Sequence, residues 1–239
     1  PSTQAMLLLT ARLGANGRVG TPSPLAPKAY YNLEKAIHER GMAIENLLTA
    51  GGEQLVRECV APEEFDSVIH LLDRGLSLSE AIERWGTRGI WVVGRDDPDY
   101  PARLRTRLRS HAPLLLYGSG CIGALGCGGL AIVGSRNATS DVAQCAEFVG
   151  HLAGRARIPI LSGGARGVDQ LAMRSGLATG GTAIGVLADS LEKACLQSDN
   201  RRFLETEALV LTSQFAPEAG FNVGSAMARN KVIYALADA

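Results

Sequence analysis

Residues 160–173 read ILSGGARGVDQLAM, and the way this stretch turns decides the fold. An apolar run ends in Ser162-Gly163-Gly164-Ala165-Arg166-Gly167, and an apolar-periodic helix pattern starts directly after it. Glycine permits positive φ and close backbone approach, so successive N–H groups of such a loop can turn into one concavity. A helix opening near Val168 adds its unpaired amides and the positive end of its dipole. Arg166 adds a guanidinium able to grip two phosphate oxygens. A tight turn that needs glycine only for its shape is the alternative, but plain strand-to-helix loops are short and seldom carry three glycines.

Working outward, the same strand-then-helix unit recurs. IWVV (90–93), LLLY (114–117), LAIV (130–133), IPIL (158–161), TAIGVLA (182–188) and ALVLTS (208–213) have strand length and are apolar on both faces. Helical patterns at 139–155, 168–179 and roughly 199–207 separate the later ones. Alternation of this kind predicts an α/β domain over 87–239: a Rossmann-like, doubly wound, mostly parallel sheet covered on both sides. Residues 1–86 read instead as a small all-helical domain. Leu7, Leu8, Leu9 and Leu13 suggest a first helix; PKAYYNLEKAIHERG and APEEFDSVIHLLDRG suggest two more. A fourth, SLSEAIERWG, is expected to start at Ser77 with Glu80 completing a capping box.

Ligands of an open α/β sheet sit beyond the carboxyl ends of its strands. Two further segments fall there. In LAIVGSRNATSD a strand ends in Gly134-Ser135-Arg136 before a helix capped by Thr139 or Ser140. In FNVGSAMARNKVIYALAD, Arg229, Asn230 and Lys231 form a polar triplet inside an apolar helix pattern. The candidate phosphate-binding set is therefore Gly134, Ser135 and Arg136, then Ser162 to Gly167 (Ser162, Gly163, Gly164, Ala165, Arg166, Gly167), and Arg229, Asn230 and Lys231. The alternating Arg103, Arg105, Arg107 and Arg109 read as a solvated face or as phosphate contacts.

Other chemistry is excluded. The glycine loop is neither G-x-x-x-x-G-K-[ST] nor G-x-G-x-x-G followed by a ribose-binding acid, so neither a triphosphatase nor a dehydrogenase is expected. Asp169 reads as a helix N-terminal charge rather than a base. The four histidines are scattered, and the five cysteines (Cys59, Cys121, Cys127, Cys145, Cys195) make no C-x-x-C pair. No catalytic residues, metal or cofactor are expected. The 239 residues carry 24 basic and 24 acidic side chains, so anion binding must be local rather than a blanket field. Aromatics are only 5%, which disfavours a base-stacking sheet platform. No apolar run is long enough for a membrane span, and a cytoplasmic protein is expected.

Taken in order, LAIVGSRNAT, ILSGGARGVDQLAM, GGTAIGVLA and ARNKVIYALAD resemble the DprA/Smf family (DNA-processing protein A), as does the lead-in DPDYPARLR to APLLLYGSG. The resemblance implies a Rossmann-like domain preceded by a helical accessory (SAM/HhH-like) domain. It also implies a protein that is not an enzyme: one that binds and protects single-stranded DNA, forms a homodimer, and helps load a RecA-type recombinase during DNA uptake and natural transformation. By motif, Gly134–Arg136 match the family's first anion-binding loop, Gly163–Gly167 its second, and Arg229–Lys231 its R-N-R/K segment. The family's short F-P-x-R-N-R appears here as the longer FNVGSAMARNK, which suggests a divergent branch. The chain is expected to be shortened at its C-terminal end, where the family continues through further strands. A Rossmann-like nucleotide-binding sensor is the competing reading. A nucleotide hydrolase of the lysine-decarboxylase-like (LOG) group ranks behind both, because GGARGVDQ lacks the glutamate of that group's P-G-G-x-G-T-x-x-E signature.

Overall fold

The structure, a computed structural model, describes residues 1–13 and 23–239. They form two compact units: Pro1–Gly86 with Gly94–Asp97, and Thr87–Val93 with Pro98–Ala239.

The first unit contains α1 (Ser2–Thr10), α2 (Pro27–His38), a 3-10 turn at Ile44–Leu48, α3 (Gly52–Cys59), α4 (Pro62–Leu72) and α5 (Gly75–Gly86). Five consecutive residues of α1, Ala5 to Leu9, are buried. Such a run has no wet face, so α1 is the core of the unit, surrounded by α2, α4, α5 and the 3-10 turn. Pro27 and Pro62 occupy the first turns of α2 and α4, where a missing N–H costs nothing. The segment 94–97 belongs to this unit because Asp97 accepts from Thr3 Oγ1 at 2.6 Å and from the Gly94 amide at 2.8 Å, while Arg95 pairs with Glu34 at 2.9 Å.

Two expectations change here. The first helix stops at Thr10, before Leu13. The capping box at Ser77 does not form, since α5 starts at Gly75 and Ser77 lies inside it. Arg74 sets that start. Its guanidinium donates to the carbonyls of Leu8 and Ala11, and its own carbonyl takes the Leu78 amide at 2.9 Å.

The second unit runs β1 (Trp91–Gly94), α6 (Ala102–Leu108), β2 (Leu115–Ser119), β3 (Leu130–Ala131), α7 (Ser140–Arg155), β4 (Ile160–Ser162), α8 (Val168–Ala178), β5 (Ala183–Leu187), α9 (Leu191–Leu196), α10 (Ser198–Glu205), β6 (Leu209–Ser213) and α11 (Val223–Leu236). The strands make one six-stranded sheet ordered β1-β2-β6-β5-β4-β3. β3 to β6 are parallel to their neighbours, with Leu161 opposite Ile184 and Ile184 opposite Val210. β2 runs antiparallel to β6. This is the Rossmann-like, mostly parallel sheet of the sequence reading. The exception at β2 has a simple cause: a strand buried along its whole length shows no alternation that would mark its direction.

Alternation sends Leu161, Ile184, Val186 and Val210 to one face, where they pack with Leu104 of α6 and Val232, Ile233 and Leu236 of α11. Gly185 and Ile160 face the other way, against Met173 and Gly176 of α8. Helices therefore cover both faces, and the core is continuous through the sheet. The arginine-rich stretch after Pro101 forms α6, and the helix expected near 199–207 is α10, preceded by the short α9. The apolar stretch LAIV gives only two residues of β3, an edge strand, though the Ile132 amide still reaches the Leu161 carbonyl at 2.9 Å.

Candidate nucleic-acid interface

Three loops meet at the carboxyl ends of β3, β4 and β5. Asp169, in the first turn of α8, joins two of them. Its carboxylate accepts the Gly134 amide at 3.0 Å and the Gly163 amide at 3.1 Å. The side chain is almost wholly buried, and its charge faces the Arg229 guanidinium at 4.0 Å. Asp169 stands in the first turn of α8, as the sequence suggested, and from there it also braces the loops after β3 and β4.

Arg229 completes the brace from α11. Nη1 donates to the carbonyls of Gly163 and Val186, both at 2.5 Å, and Nε donates to Asn230 Oδ1 at 3.0 Å. The guanidinium therefore staples the ends of β4 and β5. Burial pulls its pKa below the ordinary arginine value; Asp169 opposes that shift and nearby Arg136 adds to it. Glycine at 163 is what admits it, since a Cβ there would overlap the guanidinium. At Gly167, φ is +94° and a Cβ would collide with the Ser135 carbonyl, so the crossing of the two loops also requires glycine. The Val168 amide then donates to that carbonyl at 3.2 Å. Part of the glycine pattern therefore serves loop-to-loop packing rather than exposure of amides.

What the brace holds open is a cavity of about 510 Å³ lined by Arg136, Asn137, Gly163 to Arg166, Leu187, Ala188, Asp189, Phe221 and Arg229. Arg136 and Arg166 are both exposed on its walls. The Arg136 guanidinium lies 4.6 Å from the centre of the Phe221 ring, which is itself 46% exposed. A planar cation beside an open aromatic ring suits a phosphate flanked by a base. Asp189 is the one acidic residue of the lining. The turn that carries it is held by Ser190, which has φ +37° and donates its amide to the Ala219 carbonyl at 2.7 Å.

The remaining candidates sort by environment. Ser162 is buried and donates its hydroxyl to the Ile132 carbonyl at 2.5 Å, so it fastens β4 to the edge strand. Ser135 Oγ accepts the Asn137 amide at 3.1 Å and shapes the first loop. Gly134 lies outside the lining, its amide taken by Asp169. Asn230 serves Arg229, and Lys231 turns away from the cavity to donate to the His111 carbonyl at 3.0 Å. The triplet 229–231 thus contributes one buried staple, its support, and a cation directed elsewhere. Phe221 and Asp189 were not singled out from sequence. Phe221 opens the FNVGSAMARNK segment but stands eight positions before Arg229, Asp189 lies in none of the three candidate segments, and only the fold brings both to the rim.

Arg103 and Arg107 do not form a phosphate-facing row. Arg103 pairs with Asp238 at 2.5 Å, and Arg107 donates to the carbonyls of Ala235 and Ala237. They fasten α6 to the end of α11. Among the described residues, no group of three or more His, Cys, Asp or Glu side chains is placed to hold a metal, and no helix is long and apolar enough to cross a membrane.

The sequence profile of DNA recombination-mediator protein A matches residues 91–239, more than half of the chain. The chain belongs to this family. Among solved structures, a DNA processing protein A (DprA) from Streptococcus pneumoniae is similar with a TM-score of 0.61 at 21% identity, over 89% of this chain and 76% of that one. Another DNA processing protein A, from Helicobacter pylori, aligns with a TM-score of 0.47 at 23% identity, over 62% of this chain and 66% of that one; its structure is described in terms of a single-stranded DNA binding mode. No curated protein matches the chain. At these identities the S. pneumoniae likeness speaks to the fold. The family match, which covers all three loops, places the cavity inside the DprA domain.

Proposed function

We propose that this chain is a non-enzymatic, cytoplasmic single-stranded DNA-binding protein of the DprA type. It protects the strand and helps load a RecA-type recombinase, and it works as a homodimer in DNA uptake and recombination. The observation that carries this reading is the cavity itself: two exposed guanidiniums, Arg136 and Arg166, on the walls of one concave site beside an open Phe221 ring. Membership of the DNA recombination-mediator family supports it.

In this reading Arg136 and Arg166 each hold one backbone phosphate, while the loop amides around Gly164–Arg166 offer further donors. Base edges are not read, so affinity is expected to be insensitive to sequence and sensitive to salt. The buried Asp169–Arg229 pair binds nothing; it sets the spacing of the loops.

Fluorescence anisotropy with labelled oligo-dT at two salt concentrations tests this. The double variant Arg136→Ala/Arg166→Ala should bind more weakly and lose about 0.7 in the salt slope for each phosphate contact removed. Equal affinities for the wild type and the double variant would refute it.

A second reading is favoured by two features. The cavity has the volume of a small-molecule site, and Asp189 offers an acceptor that a sugar hydroxyl or base N–H could use. In that case the site holds a free nucleotide as a sensor. A thermal-shift comparison separates the two: mononucleotides, rather than oligonucleotides, would raise the melting temperature by mass action.

A further inference from the structure

The cavity lining contains one residue for which a DNA strand alone has no use. Arg136, Arg166 and Arg229 give the walls positive charge, and Asp189 sets a carboxylate among them. Towards a phosphate that carboxylate is repulsive, so it weakens the grip the arginines provide. Nor does it serve the fold as Asp169 does. Among the described residues it accepts no hydrogen bond and closes no ion pair, although Arg229 lies near enough to feel its charge. Its oxygens are free to accept from a ligand.

The turn that carries this carboxylate is nevertheless tightly held. Ser190, in the left-handed region, is tied to the Ala219 carbonyl twice, by its amide at 2.7 Å and its hydroxyl at 3.4 Å. A non-glycine residue stays in that region only where its surroundings fix it. On the other side, the glycine loop after β4 rests on the end of β5, since a Cβ at Gly164 would stand 3.0 Å from the Leu187 side chain. Neighbouring strands lie about 5 Å apart. The Asp189 turn, after β5, is therefore one strand spacing from the loop of Arg166 and two from the loop of Arg136.

In a 5′-nucleotide the ribose follows the phosphate directly. With the phosphate on the loops after β3 and β4, the sugar falls beside the turn after β5. Two adjacent hydroxyls then meet a carboxylate with two free oxygens. Leu187, Ala188 and the open Phe221 ring supply apolar surface for a base. Open α/β sheets that bind dinucleotides also set an acid on the ribose 2′-hydroxyl. Inside a DNA strand there is no such donor, because deoxyribose lacks the 2′-hydroxyl and its 3′-oxygen is esterified.

We infer that the cavity takes a free ribonucleoside 5′-phosphate, with Asp189 accepting from the ribose hydroxyls, and that this ligand and single-stranded DNA exclude one another. This deepens the nucleotide reading above by naming its ligand class, and it rests on the cavity being a phosphate site.

Thermal shift on the full chain, with the four ribonucleoside 5′-monophosphates and their 2′-deoxy counterparts, tests the ribose contact. At least one ribonucleotide should raise the melting temperature. Its deoxy counterpart should need about tenfold more for the same shift, the worth of one hydrogen bond to a charged acceptor. That comparison needs no variant. In Asp189→Ala, with folding checked by circular dichroism, the two forms should become equivalent. Anisotropy of labelled oligo-dT tests the exclusion: the same ribonucleotide should displace it, again about tenfold ahead of the deoxy form. Equal responses of the wild type to ribo and deoxy forms would overturn the ribose contact and leave a phosphate site. No response to any nucleotide would overturn this inference and the nucleotide reading together, while oligo-dT binding that depends on Arg136 and Arg166 would keep the strand reading. Oligo-dT that stays bound at saturating ribonucleotide would put the two ligands in separate places and overturn the exclusion.

Discussion

Asp169 is the residue on which the site depends. It compensates two main-chain amides and one guanidinium at once, from a side chain that is itself almost wholly buried. Breaking a buried pair costs far more than an exposed one, because the surviving charge stays desolvated. Asp169→Ala is therefore expected to destabilise the protein by about 3–5 kcal/mol in urea unfolding. Asp169→Asn, which keeps an acceptor for one amide, should lose less. A cost below about 1 kcal/mol, as for a surface pair, would show that the brace carries no strain-bearing role. Cys195 offers a second check at this scale. Burial pushes its thiol up to about 11, against a smaller lowering by Ser119, so little thiolate forms near neutral pH. Maleimide labelling followed by mass spectrometry should modify the exposed Cys121, Cys127 and Cys145 first and reach Cys195 only on unfolding. Labelling of Cys195 at the rate of Cys121 would contradict its placement.

Among the elements, α11 has the most demanding position. Its buried face carries the core residues Val232, Ile233 and Leu236, and its middle turn carries Arg229 into the cavity floor. Its last turn is held from α6, where Arg107 donates to the carbonyls of Ala235 and Ala237. Those carbonyls have no partner within the helix, so the arginine supplies the cap. Arg107→Ala should cost about 1–2 kcal/mol and speed hydrogen exchange in the final turn of α11 more than elsewhere. Uniform exchange across the helix would mean that α11 needs no such anchor. From the sequence, those arginines looked like a wet face, because alternation at 103, 105, 107 and 109 reads as neither helix nor buried strand. Their partners lie about 130 positions away and leave no local trace.

For the whole molecule, the balance of 24 cations and 24 anions has a consequence for binding. With no net field, attraction is confined to the cavity and its rim, and long-range steering is weak. If Arg136 and Arg166 carry the phosphate contacts, the logarithm of the affinity for oligo-dT should fall with the logarithm of salt at a slope of about −1.4, two contacts' worth. A slope several times steeper would require a second basic surface, and the site would then extend beyond these loops.

The alternation of apolar runs with helix patterns was enough to place the mostly parallel sheet, and the glycine loop next to Arg166 was enough to point to the carboxyl ends of β3 and β4. Both are local signals: each is carried within a dozen residues and survives any tertiary arrangement that buries a sheet on both faces. The direction of β2, the turning of Lys231 towards His111, and the positions of Phe221 and Asp189 at the rim were decided by the tertiary structure. So was the division of labour among the charged groups. Arg136, Arg166 and Arg229 look alike in the sequence, yet only the first two stay exposed to a ligand. Arg229 is desolvated because Gly163, 66 positions earlier, leaves space for its guanidinium and Asp169 answers its charge. Whether a charge stays solvated or becomes a buried strut depends on which distant atoms surround it, and residue order alone does not carry that information.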